Sequence, residues 1–148
     1  MYEIRVKADF CAAHFLQDYN GKCENLHGHN YKVYAHVCGK ELDKGGMLLD
    51  FTKLKSALRS VCGKLDHINL NDIAFFNNNP SAERIAEYIY EAIIEILQSE
   101  GINLKRSENA NGTYLSAIDV FETESCRARY TESEDTVKSA GKLAPVPQ

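Results

Sequence analysis

The opening segment, Tyr2-Glu3-Ile4-Arg5-Val6-Lys7-Ala8-Asp9-Phe10, sets apolar and charged residues in strict alternation. A period of two marks a strand with one face buried and the other wet, because successive side chains point to opposite sides of a sheet. Carried forward, the parity places Ala12 and His14 on the apolar face. The alternation also lacks the basic stretch and apolar run of a secretory signal. Asp18, Asn20 and Gly21 make a turn-rich loop before a second strand over residues 27–37, which turns through residues 39–46 into Met47-Leu48-Leu49.

Beyond this hairpin the period changes. Asp50 is placed to cap a helix whose apolar positions are Phe51, Leu54, Leu58 and Val61, with Gly63 near its end. A second helix opens at Pro80-Ser81, carries Ala82, Ile85, Ala86, Ile89, Ile93, Ile96 and Leu97 on one stripe, and stops at Gly101. After a polar insertion at residues 105–112, strand-forming residues return over 114–122 and again over 127–130. The order ββααββ predicts an α+β fold with both helices on one face of a four-stranded antiparallel sheet. The chain of 148 residues is of single-domain size, and that domain is expected over residues 1–130. Residues 131–148, with Glu132, Glu134, Asp135 and little apolar pattern, read as a disordered acidic tail.

Lys and Arg number 17 against 21 Asp and Glu, and no basic run is present to neutralise a phosphate backbone, which argues against nucleic acid as a partner. No apolar stretch is long enough to span a bilayer. The five cysteines, Cys11, Cys23, Cys38, Cys62 and Cys126, are odd in number and irregularly spaced, as expected of free thiols in a reducing compartment. A cytoplasmic location follows from that reading.

His27-Gly28-His29 puts two imidazoles two residues apart, on the same face of a strand, with a glycine between them that lets other backbone approach. A lone histidine is most often an ordinary core or surface residue, but a same-face pair can share a metal. His14 is the natural third ligand, and three neutral imidazoles suit zinc with a fourth position left open for catalysis. His36, at odd offset from the pair, should face the other way unless a bulge intervenes. Cys23 lies four residues before His27 and next to Lys22, whose charge favours a thiolate able to act as a base, whereas the other four thiols read as buried and inert. Asp66-His67 pairs a carboxylate with an imidazole it can orient for proton transfer, although such an adjacent pair taken alone is more often a cap or turn. Glu122 ends an apolar strand with an acceptor-only group matched to paired N–H donors, and Glu124 shares its parity.

In order along the chain, Ala12-Ala13-His14, Cys23-x-x-x-His27-Gly28-His29-Asn30-Tyr31, Gly46-Met47-x-x-Asp50-Phe51, Leu65-Asp66-His67-x-x-Leu70-Asn71, Asn79-Pro80-Ser81-Ala82-Glu83 and Glu122-Thr123 resemble the 6-pyruvoyltetrahydropterin synthase and 6-carboxytetrahydropterin synthase family. The resemblance implies the tunnelling fold (T-fold), with trimers closing their sheets into a barrel and two trimers stacking into a homohexamer. It implies Zn2+ on His14, His27 and His29, proton handling by Cys23 with Asp66 and His67, and a pterin ring anchored by Glu122 at a subunit interface, where it can serve a neighbour's zinc. The three residues between Cys23 and His27 resemble the 6-carboxytetrahydropterin branch of queuosine and 7-deazaguanine biosynthesis, which turns 7,8-dihydroneopterin triphosphate into 6-carboxytetrahydropterin, acetaldehyde and triphosphate. The alternatives are pyruvoyl-forming triphosphate elimination and a non-catalytic, zinc-stabilised pterin-binding protein. Ser81 stands where the family commonly has Thr and keeps the hydroxyl.

Overall fold

A computed structural model describes residues 1–109 and 112–133. Strands β1 (Tyr2–His14) and β2 (His27–Gly39) pair antiparallel along their whole length, from Tyr2 opposite Gly39 to His14 opposite His27. Helices α1 (Phe51–Leu65) and α2 (Ala82–Ser99) follow, then β3 (Tyr114–Thr123) and β4 (Cys126–Tyr130). The sheet order β1-β2-β3-β4 is an α+β meander with the helices inserted between its halves. The sequence therefore gives the element order correctly, and β1 runs four residues past Phe10 on unbroken parity.

Both helices start where a side chain can satisfy free backbone N–H groups. The Asp50 carboxylate accepts from Thr52 N at 2.8 Å, and Ser81 Oγ accepts from Arg84 N at 3.4 Å. Helix α1 buries Leu54, Ala57, Leu58, Val61, Cys62 and Leu65, and α2 buries Ile85, Ala86, Ile89, Tyr90, Ile93, Ile94 and Leu97. They cover the sheet face made by Phe10, Tyr31, Val33, Val37, Leu115, Ile118 and Val120. Helix α1 passes Gly63 to bury Leu65, and Phe51, expected on its apolar stripe, is exposed because the first helical residue projects beyond the core. Gly101 follows α2 at φ +81, a left-handed conformation that glycine adopts without strain.

Glu132, counted with the tail in the sequence reading, is buried, accepting hydrogen bonds from Tyr90 Oη at 3.3 Å and Ser107 N at 3.2 Å. The rest of the expected tail, residues 134–148, lies outside the described residues, as do residues 110–111 of the insertion. Among the described residues, no helix is long and apolar enough to cross a membrane.

The sheet face turned away from the helices carries a belt of alternating charge with one residue from each strand: Glu3, His36, Asp119 and Arg129. His36 Nε2 lies 2.7 Å from Asp119 Oδ2 and its Nδ1 lies 3.3 Å from Glu3 Oε1, so the ring is flanked by carboxylates. Arg129 donates to both Asp119 oxygens, at 2.7 and 2.8 Å. Burial raises the Asp119 carboxyl, but the hydrogen bonds from Arg129 and His36 outweigh it and hold it below its ordinary value. Glu3 is likewise lowered, chiefly by His36. A bulge at Ser116, between the pairs His36–Ala117 and Val37–Leu115, lies past His36, so parity from His27 to His36 is intact and His36 faces away as expected.

Asp119→Ala leaves His36 and Arg129 without their shared acceptor. It should cost about 2 kcal/mol in urea unfolding at pH 7, less than a fully buried pair because Arg129 is half exposed. Depressed carboxyls stabilise above their unfolded values and lose that contribution as pH falls through the folded ones. The gap between wild type and variant should therefore narrow below about pH 4. A gap that persists unchanged in acid would rule out the charge belt as its cause.

Candidate active site

Pairing His14 with His27 and Ala12 with His29 brings three imidazoles onto the helix-covered face at the end of the hairpin. Ring centroids lie 4.6 Å apart for His14 and His27, 5.1 Å for His14 and His29, and 4.8 Å for His27 and His29. One nitrogen from each ring falls within 4.8 Å of the other two. His14 Nδ1 is 2.8 Å from the Pro80 carbonyl and His27 Nδ1 is 2.6 Å from the Asn25 carbonyl. A carbonyl only accepts, so both Nδ1 atoms are N–H donors and the neutral rings present Nε2 lone pairs to each other, 3.1 Å apart. Two lone pairs at that distance repel unless a cation or proton joins them. Burial lowers the basicity of His14, against the opposing pull of Pro80 and Glu122, and His27 and His29 lower it further. Burial does the same to His29. Three converging imidazoles, those of His14 and His27 with their second nitrogens tied to carbonyls, fit a divalent transition metal.

His14 owes its position to the segment after α1. Asn71 Oδ1 accepts from Phe15 N at 2.9 Å and Asn71 Nδ2 donates to Phe15 O at 3.0 Å, so one side-chain amide stands in for a neighbouring strand. Asn79 Oδ1 accepts from Gln17 N at 3.2 Å. Together with the Pro80 carbonyl, these contacts fix the chain on both sides of the buried His14 ring.

Glu122 comes off the same face, with Oε1 3.8 Å from His14 Nε2. It lines a concavity of about 360 Å³ with His29, Lys32 and Phe121, and another of about 210 Å³ with Leu16, Ser81, Glu83 and Arg127. Glu124, which shared its parity in the sequence, falls in the turn after β3, where it is exposed and pairs with Lys32 Nζ at 3.4 Å.

Asp66 and His67 pair through Oδ2 and Nδ1 at 2.7 Å. Asp66 Oδ1 also accepts from Cys11 N at 2.8 Å, and His67 N donates to Cys11 O at 2.6 Å, which ties the dyad to the edge of β1. The Cys11 N–H, then the His67 ring, hold the Asp66 carboxyl below its ordinary value. His67 has φ 58, a left-handed conformation that costs any residue with a Cβ free energy and is held here by the bond to Cys11. Its ring is largely exposed and borders, with Cys11, Gly28, His29 and Asn30, a cleft of about 440 Å³.

Cys23 sits half-buried on the short 3-10 turn Lys22–Glu24, whose backbone is tied down where Cys23 O accepts from Leu16 N at 2.7 Å. Among the described residues, no hydrogen bond joins its thiol to Asp66 or His67. One chain thus gathers the three imidazoles and Glu122 and sets Asp66-His67 at the rim beside His29, with no hydrogen bond among the described residues linking Cys23 to that dyad. Of the thiols expected to be buried, only Cys62 is; Cys11, at odd position on β1, faces away from the core and is exposed. Sequence reading missed the carbonyls of Asn25 and Pro80, which any residue supplies, and Asn71 and Asn79, whose amides look like ordinary turn residues.

A four-stranded meander with two helices on one face and a three-imidazole centre beside a strand-end carboxylate defines a T-fold pterin enzyme. The sequence profile of the 6-pyruvoyl tetrahydropterin synthase family matches residues 3–133, and the chain belongs to this family of lyases acting on pterin triphosphates. The 6-carboxy-5,6,7,8-tetrahydropterin synthase of Synechocystis is 33% identical over 135 residues, 88% of this chain and 93% of its own. A dihydroneopterin monophosphate aldolase of Pyrococcus furiosus is 39% identical over 103 residues, 70% of this chain and 83% of its own. The structure of 6-pyruvoyl tetrahydropterin synthase from Caenorhabditis elegans superposes with a TM-score of 0.72 at 26% identity, covering 89% of this chain and 96% of that one.

Substituting His14, His27 or His29 by Ala should each strip most bound metal, measured by mass spectrometry of the purified protein, while His36→Ala should retain it. Equal loss in the His36 variant would remove the assignment.

Proposed function

We propose that the chain is a zinc-dependent 6-carboxytetrahydropterin synthase, converting 7,8-dihydroneopterin triphosphate to 6-carboxy-5,6,7,8-tetrahydropterin, acetaldehyde and triphosphate in the cytoplasm, for queuosine and 7-deazaguanine synthesis. The observation that carries this reading is the Glu122 carboxylate 3.8 Å from His14 of the imidazole centre, where it is suited to anchor a pterin ring. The spacing of Cys23 from His27 and the Synechocystis relative favour the carboxy product.

Bound at His14, His27 and His29, zinc supplies Lewis acidity toward the hydroxyls of the substrate side chain. Glu122 accepts the paired N–H donors of the pyrimidine edge and so fixes the ring relative to the three imidazoles. Asp66 keeps His67 Nδ1 protonated and leaves its Nε2 free to carry a proton. Cys23 accepts the side-chain proton at its sulfur. No hydrogen bond among the described residues joins Cys23 to the Asp66-His67 dyad, and this reading brings them together in a site built by two subunits of a homohexamer. The exposure of His67 supports it, as do the outer edge of β4 and that of β1 before Cys11, where strand groups lack a sheet partner.

Incubating zinc-loaded protein with 7,8-dihydroneopterin triphosphate and identifying products by mass tests the reading. Free acetaldehyde with a 6-carboxy product is expected. A pyruvoyl side chain with no aldehyde would assign the pyruvoyl reaction, and an aldehyde still bearing its phosphates would assign a retro-aldol cut, the alternative that the Pyrococcus relative raises. Tight binding with no turnover would make the chain a binding protein. Cys23→Ala should keep zinc and bind pterin yet turn over at least about 100-fold more slowly. Near-normal acetaldehyde release by that variant would make the thiol structural and leave proton transfer to His67.

A further inference from the structure

Tyr31 is fully buried, and its hydroxyl has no hydrogen-bond partner among the described residues. Buried hydroxyls are ordinarily paired, and an unpaired one calls for an explanation. Packing does not supply it. The ring stacks on Phe10 at 4.7 Å and meets His29 and His14 edge-on at 5.4 and 5.9 Å, contacts that a phenyl ring makes equally well. The oxygen is surplus to the core.

The sheet register identifies what it serves. Val33 lies opposite Val120 and Lys32 opposite Phe121, the last pair of the β2–β3 ladder, and Tyr31 and Glu122 are the residues that follow it on the two strands, each lying beside His14. The Glu122 carboxylate accepts no hydrogen bond among the described residues, its one polar contact being the 3.8 Å approach to His14. A donor without an acceptor and an acceptor without a donor therefore both lie beside His14.

We propose that Tyr31 is a positioning residue for the ring anchor: its O–H donates to the Glu122 carboxylate when a pterin edge engages the other lone pairs of that group, fixing the plane in which Glu122 meets the ring. The inference rests on the reading of Glu122 as the pterin anchor. A carboxylate offers about four lone-pair sites and a pterin edge occupies two, so one remains for the phenol.

Neopterin, an oxidised pterin that the enzyme cannot turn over, provides the test. Its binding is followed by fluorescence in zinc-loaded and EDTA-treated protein for the wild type, Tyr31→Phe, Glu122→Gln and the double variant, together with melting temperatures without ligand. Tyr31→Phe should weaken neopterin about tenfold. It should leave zinc content and the melting temperature of the ligand-free protein unchanged or the latter raised, since it removes an unpaired buried donor. In the Glu122→Gln background the same substitution should add little, which marks the two groups as acting together. Unchanged affinity in Tyr31→Phe, or an equal loss in the Glu122→Gln background, overturns the proposal. A fall in the ligand-free melting temperature matching the affinity loss would make the hydroxyl structural. If Glu122→Gln itself binds neopterin normally, the anchor reading fails and the inference with it.

Discussion

The register of the β1–β2 hairpin, with His14 opposite His27, is the constraint on which the other features depend. Because side chains alternate, a slip of one residue would send His14 to the solvent face while His27 and His29 stayed, and no metal centre would form. Two independent patterns hold that register. On one face Val6, Phe10, Tyr31, Val33 and Val37 must meet the helices. On the other, Glu3 must reach His36, and His36 must reach Asp119. A shift that satisfied neither face would lose the core and leave buried charges unpaired, so the geometry of the imidazoles is a by-product of constraints spread over the whole sheet.

The segment after α1 is fitted to that hairpin in turn. It lies along the outer edge of β1 through bonds involving Cys11, Ala13 and Phe15, with Asn69 in a parallel bridge to Ala13. One irregular stretch thereby blunts half of an exposed edge, presents Asp66-His67 at the rim, and delivers the Pro80 carbonyl to His14 before Ser81 starts α2. Asn77 and Asn78, at φ 46 and 64, make the tight turn that this path needs. Catalytic and structural demands meet in the same residues.

The periodic parts of this architecture were legible in the sequence. Strict alternation from Tyr2 placed His14 on the core face, the His27-Gly28-His29 spacing gave two same-face imidazoles, and both caps were readable because Asp50 and Ser81 precede clear apolar stripes. What could not be read is carried by backbone or by long-range pairing. No residue type announces that the carbonyls of Asn25 and Pro80 will select a tautomer, and Asn71 resembles a turn residue until Phe15 is seen beside it. Exposure of Cys11 followed from its odd parity, but an apolar-looking neighbourhood suggested burial. The placing of Cys23 and of His67 depends on where two loops travel, which periodicity does not encode.

Around the hairpin end, the usual agreement between local structure and stability breaks down. Elsewhere buried polar groups are matched: Asp119 by Arg129 and His36, Glu132 by Tyr90 and Ser107. At the site, the Nε2 lone pairs of His14 and His27 face each other at 3.1 Å, and among the described residues Glu122 accepts no hydrogen bond and the Tyr31 hydroxyl donates none. None of these groups stabilises the fold alone, and hydrophobic residues of similar shape would pack there with less penalty. A cation shared by the imidazoles and a ring with paired N–H donors on Glu122 would satisfy them together. Any ligand that binds the native chain and not the unfolded one stabilises it by mass action, so the local deficit becomes the driving force for binding. Unmet hydrogen-bonding capacity is concentrated at one end of an otherwise satisfied sheet, where a cation and a ligand with paired donors would gain most from it.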